Sequence, residues 1–375
     1  MNNKVNTTKS PTFIDLFAGA GGLSIGLEQA GFKLIAATDW DHWSCETLRT
    51  NHKDIVVEEG DISTIDLEEF KKKLSVPEVD MIVGGPPCQG FSALGKRLEN
   101  DPRNQLWRYY MRFVKCFYPK VFLMENVPEL MKSQEFIEIK STAERLGYKV
   151  EAKVLHAVDY GVPQKRKRAI IIGSRIGSPK HPEPTHYTLG QLSIESYQKK
   201  PWRTVGDAIR DLPLEPTGEN WHVGRNPTAK SLARYKTVPP GGNRFNLPIE
   251  LMPNCWIKKK TGSTDVFGRL EWGKPSLTIR TEFFKPEKGR YLHPQAHRPI
   301  TVREAARLQT FPDSYILVGS HINVAKQVGN AVPCELARNV ALEILKLFEA
   351  VSDEIKQKSV NRESSFASDF AYLQP

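Results

Sequence analysis

Cysteine is scarce: five residues in 375, at positions 45, 88, 116, 255 and 334, with no C-x-x-C pair among them. That pattern excludes a disulfide framework and the usual zinc spacing, and it suits a reducing cytoplasm. Long apolar runs are missing as well. None approaches the ~20 residues of a membrane span, and Met1 to Ser10 is polar rather than signal-like. No membrane attachment and no metal are therefore expected. Internal repeats are also lacking, so solenoids and propellers are excluded. The length predicts a large core divided into two domains, and the protein is expected to act as a monomer.

Charge is present, and it is unevenly placed. The formal net charge is +10, and residues 183–300 hold 19 Lys/Arg against 11 Asp/Glu. The rest of the chain is close to neutral. Within the basic segment Trp202, Trp221, Tyr235, Trp256, Phe267 and Phe283 are interleaved with the cations, a mixture that suits a surface tracking phosphates and touching bases. The expected organisation is residues 1–182 and 301–350 forming one domain, 183–300 a second, and 351–375 a loose tail.

Strand-like and helix-like stretches alternate through the first half. Thr12 to Phe17, Lys33 to Thr38, Ile55 to Glu58, Val79 to Val83 and Val121 to Met124 read as strands. Helical patterns lie between them, near Gly22 to Ala30, Trp43 to Asn51, Leu67 to Leu74 and Gln105 to Phe117. The alternation predicts an α/β fold with a doubly wound, mostly parallel sheet. Tyr148 to Leu155 and Ala169 to Gly173 could extend that sheet. Further on, Thr301 to Glu304 is a capping box opening a helix over Val302 to Leu308, and a last helix is expected from Glu335 to Phe348.

In doubly wound sheets, ligands bind beyond the carboxyl ends of the strands. Several chemistry-bearing residues fall there. Pro86-Pro87-Cys88-Gln89 follows the run Met81-Ile82-Val83, presenting a thiol on a stiff turn. Phe17-Ala18-Gly19-Ala20-Gly21-Gly22 is a glycine-rich turn between a strand and a helix, and Asp39 ends the next strand, where an acid can hold ribose hydroxyls. Ser24 occupies the place of the third glycine of the dinucleotide fingerprint, which disfavours a nicotinamide dehydrogenase. Asp61 follows the third strand, as either an adenine contact or an ordinary helix cap. Glu125 closes the run Val121 to Met124, beside Cys88. In Gln164-Lys165-Arg166-Lys167-Arg168, strand alternation sets Gln164, Arg166 and Arg168 on one face.

Taken in order, these motifs, with Arg303 to Asp313 and Gly329-Asn330-Ala331-Val332-Pro333, resemble the DNA (cytosine-5)-methyltransferase family from Phe13 to about Leu347. The resemblance implies an S-adenosylmethionine-dependent enzyme acting on duplex DNA, probed by base flipping, and often partnered by a restriction endonuclease. Cys88 is implied as the nucleophile that adds to cytosine C6, Glu125 as the group acting at N3, and Arg166 and Arg168 as nearby positive charge. Burial is expected to keep Glu125 protonated. Cofactor contacts carried over are Phe17, Gly19, Gly21, Gly22, Asp39, Trp40, Asp61, Ile62, Leu106, Asn330 and Val332. Gln89, Lys96, Arg97, Arg103 and Gln164 are candidate DNA contacts. Gln89 to Asn104 would be a lid over the extruded base, and roughly Thr185 to Leu292 the target-recognition region.

A transfer-RNA cytosine-5 methyltransferase on the same frame is the nearest alternative, but the Cys-Phe-Thr tripeptide typical of that group is missing. An amino-group DNA methyltransferase would need an Asp/Asn-Pro-Pro-aromatic loop instead of Pro-Pro-Cys-Gln. An inert DNA-binding module would not need both Cys88 and Glu125 at strand ends.

Overall fold

The computed structural model describes residues 10–74, 76–87, 105–188, 200–258 and 261–371. Its centre is a seven-stranded sheet in the order β3-β2-β1-β4-β5-β8-β6. The strands are β1 (Thr12–Leu16), β2 (Lys33–Asp39), β3 (Val56–Glu59), β4 (Met81–Gly84), β5 (Val121–Asn126), β6 (Lys149–His156), β7 (Gln164–Lys165) and β8 (Lys167–Ser174). The first five pair in parallel, as the alternation predicts. The last sheet strand reverses: β8 runs antiparallel to both β5 and β6. β7 stands outside the sheet and pairs with Ser276–Leu277.

Helices α1 (Gly22–Gln29), α2 (His42–Asn51), α3 (Leu67–Lys73), α4 (Leu106–Phe117) and α5 (Gln134–Arg145) fill the crossovers. Alternation along β1 divides the core. Phe13 packs with Leu23, Leu27, Val340 and Ile344 on one face, while Ile14 packs with Phe70, Tyr110 and Phe113 on the other. Close approach between strands fixes Gly84, since a Cβ there would stand 2.1 Å from the Leu16 carbonyl oxygen. Side chains cap α2 and α3, with Asp41 accepting from Ser44 N and Asp66 from Glu68 N.

Beyond β8 the regular elements are short: α6 (Val205–Ile209), α7 (Ala229–Thr237) and α8 (Asn254–Ile257), followed by α9 (Val302–Leu308), α10 (His321–Asn330) and α11 (Cys334–Ala371). The capping box at Thr301 and Glu304 forms as read from the sequence. Tyr235, Val238, Leu247, Phe267 and Leu292 make a small core of their own within the basic segment. Val205, Ile209, Ile279 and Phe283, from the same segment, instead share a core with α9 and α10. The helix expected to end at Phe348 continues to Ala371, so residues 351–371 are helical rather than a loose tail. Neither Gly nor Pro occurs between Cys334 and Ala371 to stop it.

Candidate active site

Four strand ends meet on one edge of the sheet. At the end of β1, Phe17 and Gly19 take positive φ values of 57° and 54°, and Gly21, also left-handed at 78°, is the N-cap of α1. Gly19 N–H donates to Asp39 Oδ2 at 2.7 Å, and Asp41 N–H donates to Asp39 Oδ1 at 2.9 Å. Asp39 thus holds the glycine loop itself. Burial raises its pKa, against the pull of those N–H donors. Gly22 packs directly under the far end of α10: a Cβ on it would stand 2.4 Å from the Val332 carbonyl oxygen. That close approach brings Val332 and Asn330 to the glycine loop.

The rim of this loop has room for a ligand. A Cβ at Gly19 or Gly60 would meet nothing within 4 Å, and Trp40 is 83% exposed at the end of β2. Gly60 N–H donates to the Asp39 carbonyl, placing the β3 end beside the β2 end. Ile62 is buried and Leu106 opens α4 against the same cluster. Asp61 forms a local turn, its Oδ1 accepting from Ser63 N at 2.8 Å and its carbonyl from Thr64 N. Asp61 thus closes a turn after β3, while the N-cap of α3 is Asp66.

Glu125 lies at the end of β5, buried, with its side chain 12% exposed. Arg168 Nε approaches its Oε1 at 2.6 Å. Its other oxygen, Oε2, lies 3.0 Å from where a Cβ on Gly85 would stand, so Gly85 leaves the space this carboxylate occupies. Asn126 Nδ2 donates to the Pro86 carbonyl at 2.9 Å, tying the β4 exit to the β5 end. Sequence reading assigns no role to Asn126. The adjacency of Asn126 to Glu125 was the available signal.

Cys88, Gln89, Lys96, Arg97 and Arg103, with the expected lid over Gln89 to Asn104, lie outside the described residues. The described segment before them ends at Pro87, just after Gly85, which leaves the space taken by Glu125 Oε2. Two other thiols are poorly placed for nucleophilic work. Burial pushes Cys45 up to about 12 and raises Cys334 further.

Gln164 lies in β7, Arg168 in β8 and Arg166 between them, and of the three Arg168 is the one that pairs with the carboxylate. Arg166 is 2% exposed and donates to the carbonyls of Ile279 and Gly329 at 3.1 and 3.3 Å. Burial and the neighbouring Arg168 lower its pKa well below the ordinary value. It joins the end of the basic segment to the end of α10. The expectation that Gln164 touches DNA is corrected: it is fully buried. Its amide donates to Leu308 O and Gln309 Oε1, and its Oε1 accepts from Ile279 N. Both amide hydrogens are thus spent on internal acceptors, and the side chain has no exposed surface to offer a base.

The Arg168 guanidinium sits on Glu125 Oε1. The pair is a fixed frame in which Arg168 holds one oxygen and leaves Oε2 toward the Pro86-Pro87 exit.

Fold and site together define an α/β domain with a glycine loop at one strand end and an acid beside the Pro86-Pro87 exit of β4. Residues 11–346 match the family of C-5 cytosine-specific DNA methylases. The chain is 38% identical over 349 residues to the Type II methyltransferase M1.HphI of Haemophilus parahaemolyticus, covering 90% of this chain and 87% of that protein. It is 35% identical to the Type II methyltransferase M.NgoFVII of Neisseria gonorrhoeae, with 93% and 90% covered. Among solved structures, a prophage-encoded DNA modification methyltransferase of Escherichia coli superposes with a TM-score of 0.67 at 26% identity, covering 91% of this chain and all of that one. The chain belongs to the C-5 cytosine-specific DNA methylases. Its activity is methyl transfer to C5 of cytosine in DNA, which sets aside the transfer-RNA alternative.

Proposed function

We propose that this protein methylates cytosine within a specific duplex DNA sequence, using S-adenosylmethionine, as the modification enzyme beside a cognate restriction endonuclease in a bacterial cytoplasm. The observation that carries the residue roles is the Arg168–Glu125 pair standing beside the Pro86-Pro87 turn. Atoms C5 and C6 of a paired base are inaccessible from either groove, so the target cytosine leaves the stack. Cys88 Sγ, as thiolate, bonds to C6. Electron density moves into the ring, and Glu125 Oε2 delivers a proton to N3 while Arg168 stabilises the carboxylate left behind. C5, now nucleophilic, takes the methyl group. Loss of the C5 proton and elimination of Cys88 restore the aromatic ring and the free thiol.

S-adenosylmethionine supplies an electrophilic methyl on a positively charged sulfur leaving group. The open edge at Gly19 and Gly60, the Asp39 carboxylate and the exposed Trp40 ring fit a nucleoside with a ribose diol. Phe17, Gly21, Gly22, Asp61, Ile62, Leu106, Asn330 and Val332 complete that cradle. Nothing in the chemistry requires a metal. Lys96, Arg97, Arg103 and Gln89 supply contacts to the DNA around the flipped base.

Incorporation of labelled methyl into duplex DNA, with RNA as control, tests this reading. Label is expected in duplex DNA as 5-methylcytosine, and label in RNA alone overturns it. Affinity should also fall steeply with salt, by about 0.9 in log Kd for each phosphate neutralised per decade. The basic segment is assigned the choice of sequence. Exchanging Thr217 to Thr281 for the matching stretch of a relative of different specificity should transfer that specificity, read by bisulfite sequencing of plasmid DNA. A folded, active chimera that keeps the original target places recognition elsewhere.

A further inference from the structure

One titratable group in the core is used by none of these steps. Asp15 lies in β1 two residues before the glycine loop, is 1% exposed, and accepts from Ser24 Oγ at 2.5 Å. Ser24 stands in the first turn of α1, where the N-cap, Gly21, has no side chain to offer. The Asp15–Ser24 bond therefore closes residues 15 to 24 into a staple spanning both ends of the loop. Oδ1, the other oxygen, has no hydrogen-bond partner.

The surroundings of this carboxyl are acidic. Ser24 and Glu28 face it from α1, Asp39 from β2, Tyr110 from α4 and Tyr315 from the turn before α10. The charged groups that act on it most strongly, Asp39 and Glu28, are both acids. Tyr315 itself leaves a buried hydroxyl without a partner against Gly21. An ionised carboxylate with an unpaired oxygen, buried among acids, is costly, and protonation removes most of that cost. Burial accordingly raises Asp15 to about 7.

We propose that Asp15 is a positioning residue that works as a neutral carboxylic acid, stapling the glycine loop through Ser24 so that its backbone N–H groups are held ready for the methyl donor. The inference rests on the cofactor reading above. It adds a residue that touches neither cofactor nor DNA.

The sign of the pH effect follows from the raised pKa. Protonation of Asp15 stabilises the fold fully below the ordinary carboxylate range, and that contribution is lost as pH rises toward about 7. Asp15→Asn, a neutral isostere, should match wild type at acidic pH. It should melt above wild type at about pH 8, with the gap closing toward about pH 4.

The experiment is calorimetric titration of S-adenosylmethionine into wild type, Asp15→Asn, Asp15→Ala and Ser24→Ala, with melting curves on the same samples. Asp15→Asn should bind within about threefold of wild type near neutrality and hold that affinity at alkaline pH, where wild type weakens. Asp15→Ala and Ser24→Ala should each bind about tenfold more weakly, the loss of one buried hydrogen bond. Asp15→Asn binding as poorly as Asp15→Ala, or melting like wild type at every pH, overturns the proposal, as does full affinity in Ser24→Ala. If wild type binds no S-adenosylmethionine, the cofactor reading fails, while the melting curves still decide whether Asp15 is neutral. Should Asp15→Ala fail to fold, Asp15→Asn and Ser24→Ala carry the test.

Discussion

Replacing Cys88 by serine is expected to reduce methyl transfer to background while leaving S-adenosylmethionine and DNA binding close to wild type. A hydroxyl of similar size is far less ionised than a thiol, so the bond to C6 does not form. The wild type should also be trapped on duplex DNA containing 5-fluorocytosine, because fluorine cannot leave C5 as a proton does. Peptide mapping of that adduct should return Cys88. The remaining thiols make a demanding control. Cys45 is buried and pushed up to about 12, Cys334 is buried and raised, and Cys255 is exposed in the basic segment away from Glu125. An adduct at Cys45 or Cys255, or normal turnover in Cys88→Ser, would remove the nucleophile assignment.

Glu125→Gln should bind S-adenosylmethionine normally and lose roughly 10²–10⁴-fold in methyl transfer, the range typical of a general acid–base group. Glutamine keeps the shape that fills the space beside Gly85, so the Pro86-Pro87 turn should not move. Its amide oxygen can still accept from Arg168, but it has no carboxyl proton to pass to N3. Single-turnover rates with saturating cofactor and DNA separate that chemical loss from binding. An unchanged rate across pH would mean that N3 is activated by another group.

Much of the frame was legible because it rests on local rules. The alternating apolar runs placed β1, β2 and β4 within a residue or two, and the capping box at Thr301 formed as written. Direction was not legible: a run such as Ala169 to Gly173 is equally apolar in either sense, and only its pairing with β5 and β6 makes β8 antiparallel. The end of α11 was missed for a related reason. A polar composition reads as a tail, yet nothing in Cys334–Ala371 breaks a helix.

The sequence by itself determined the family and the candidates for its chemistry: a thiol after two prolines, an acid at the next strand end and a glycine turn opening the first helix, because motif matching depends on residue type and order. Tertiary structure decided which of the neighbouring polar groups reach that chemistry. Gln164, Arg166 and Arg168 alternate identically along the chain, but the carbonyls of Ile279, Leu308 and Gly329 absorb the first two, and only Arg168 meets Glu125. Asp15 likewise reads as one more polar residue before a glycine loop, until α1, α4 and β2 close around it. For Gln164 and Arg166 the hydrogen-bond partners come from segments more than a hundred residues away, and no local pattern encodes them.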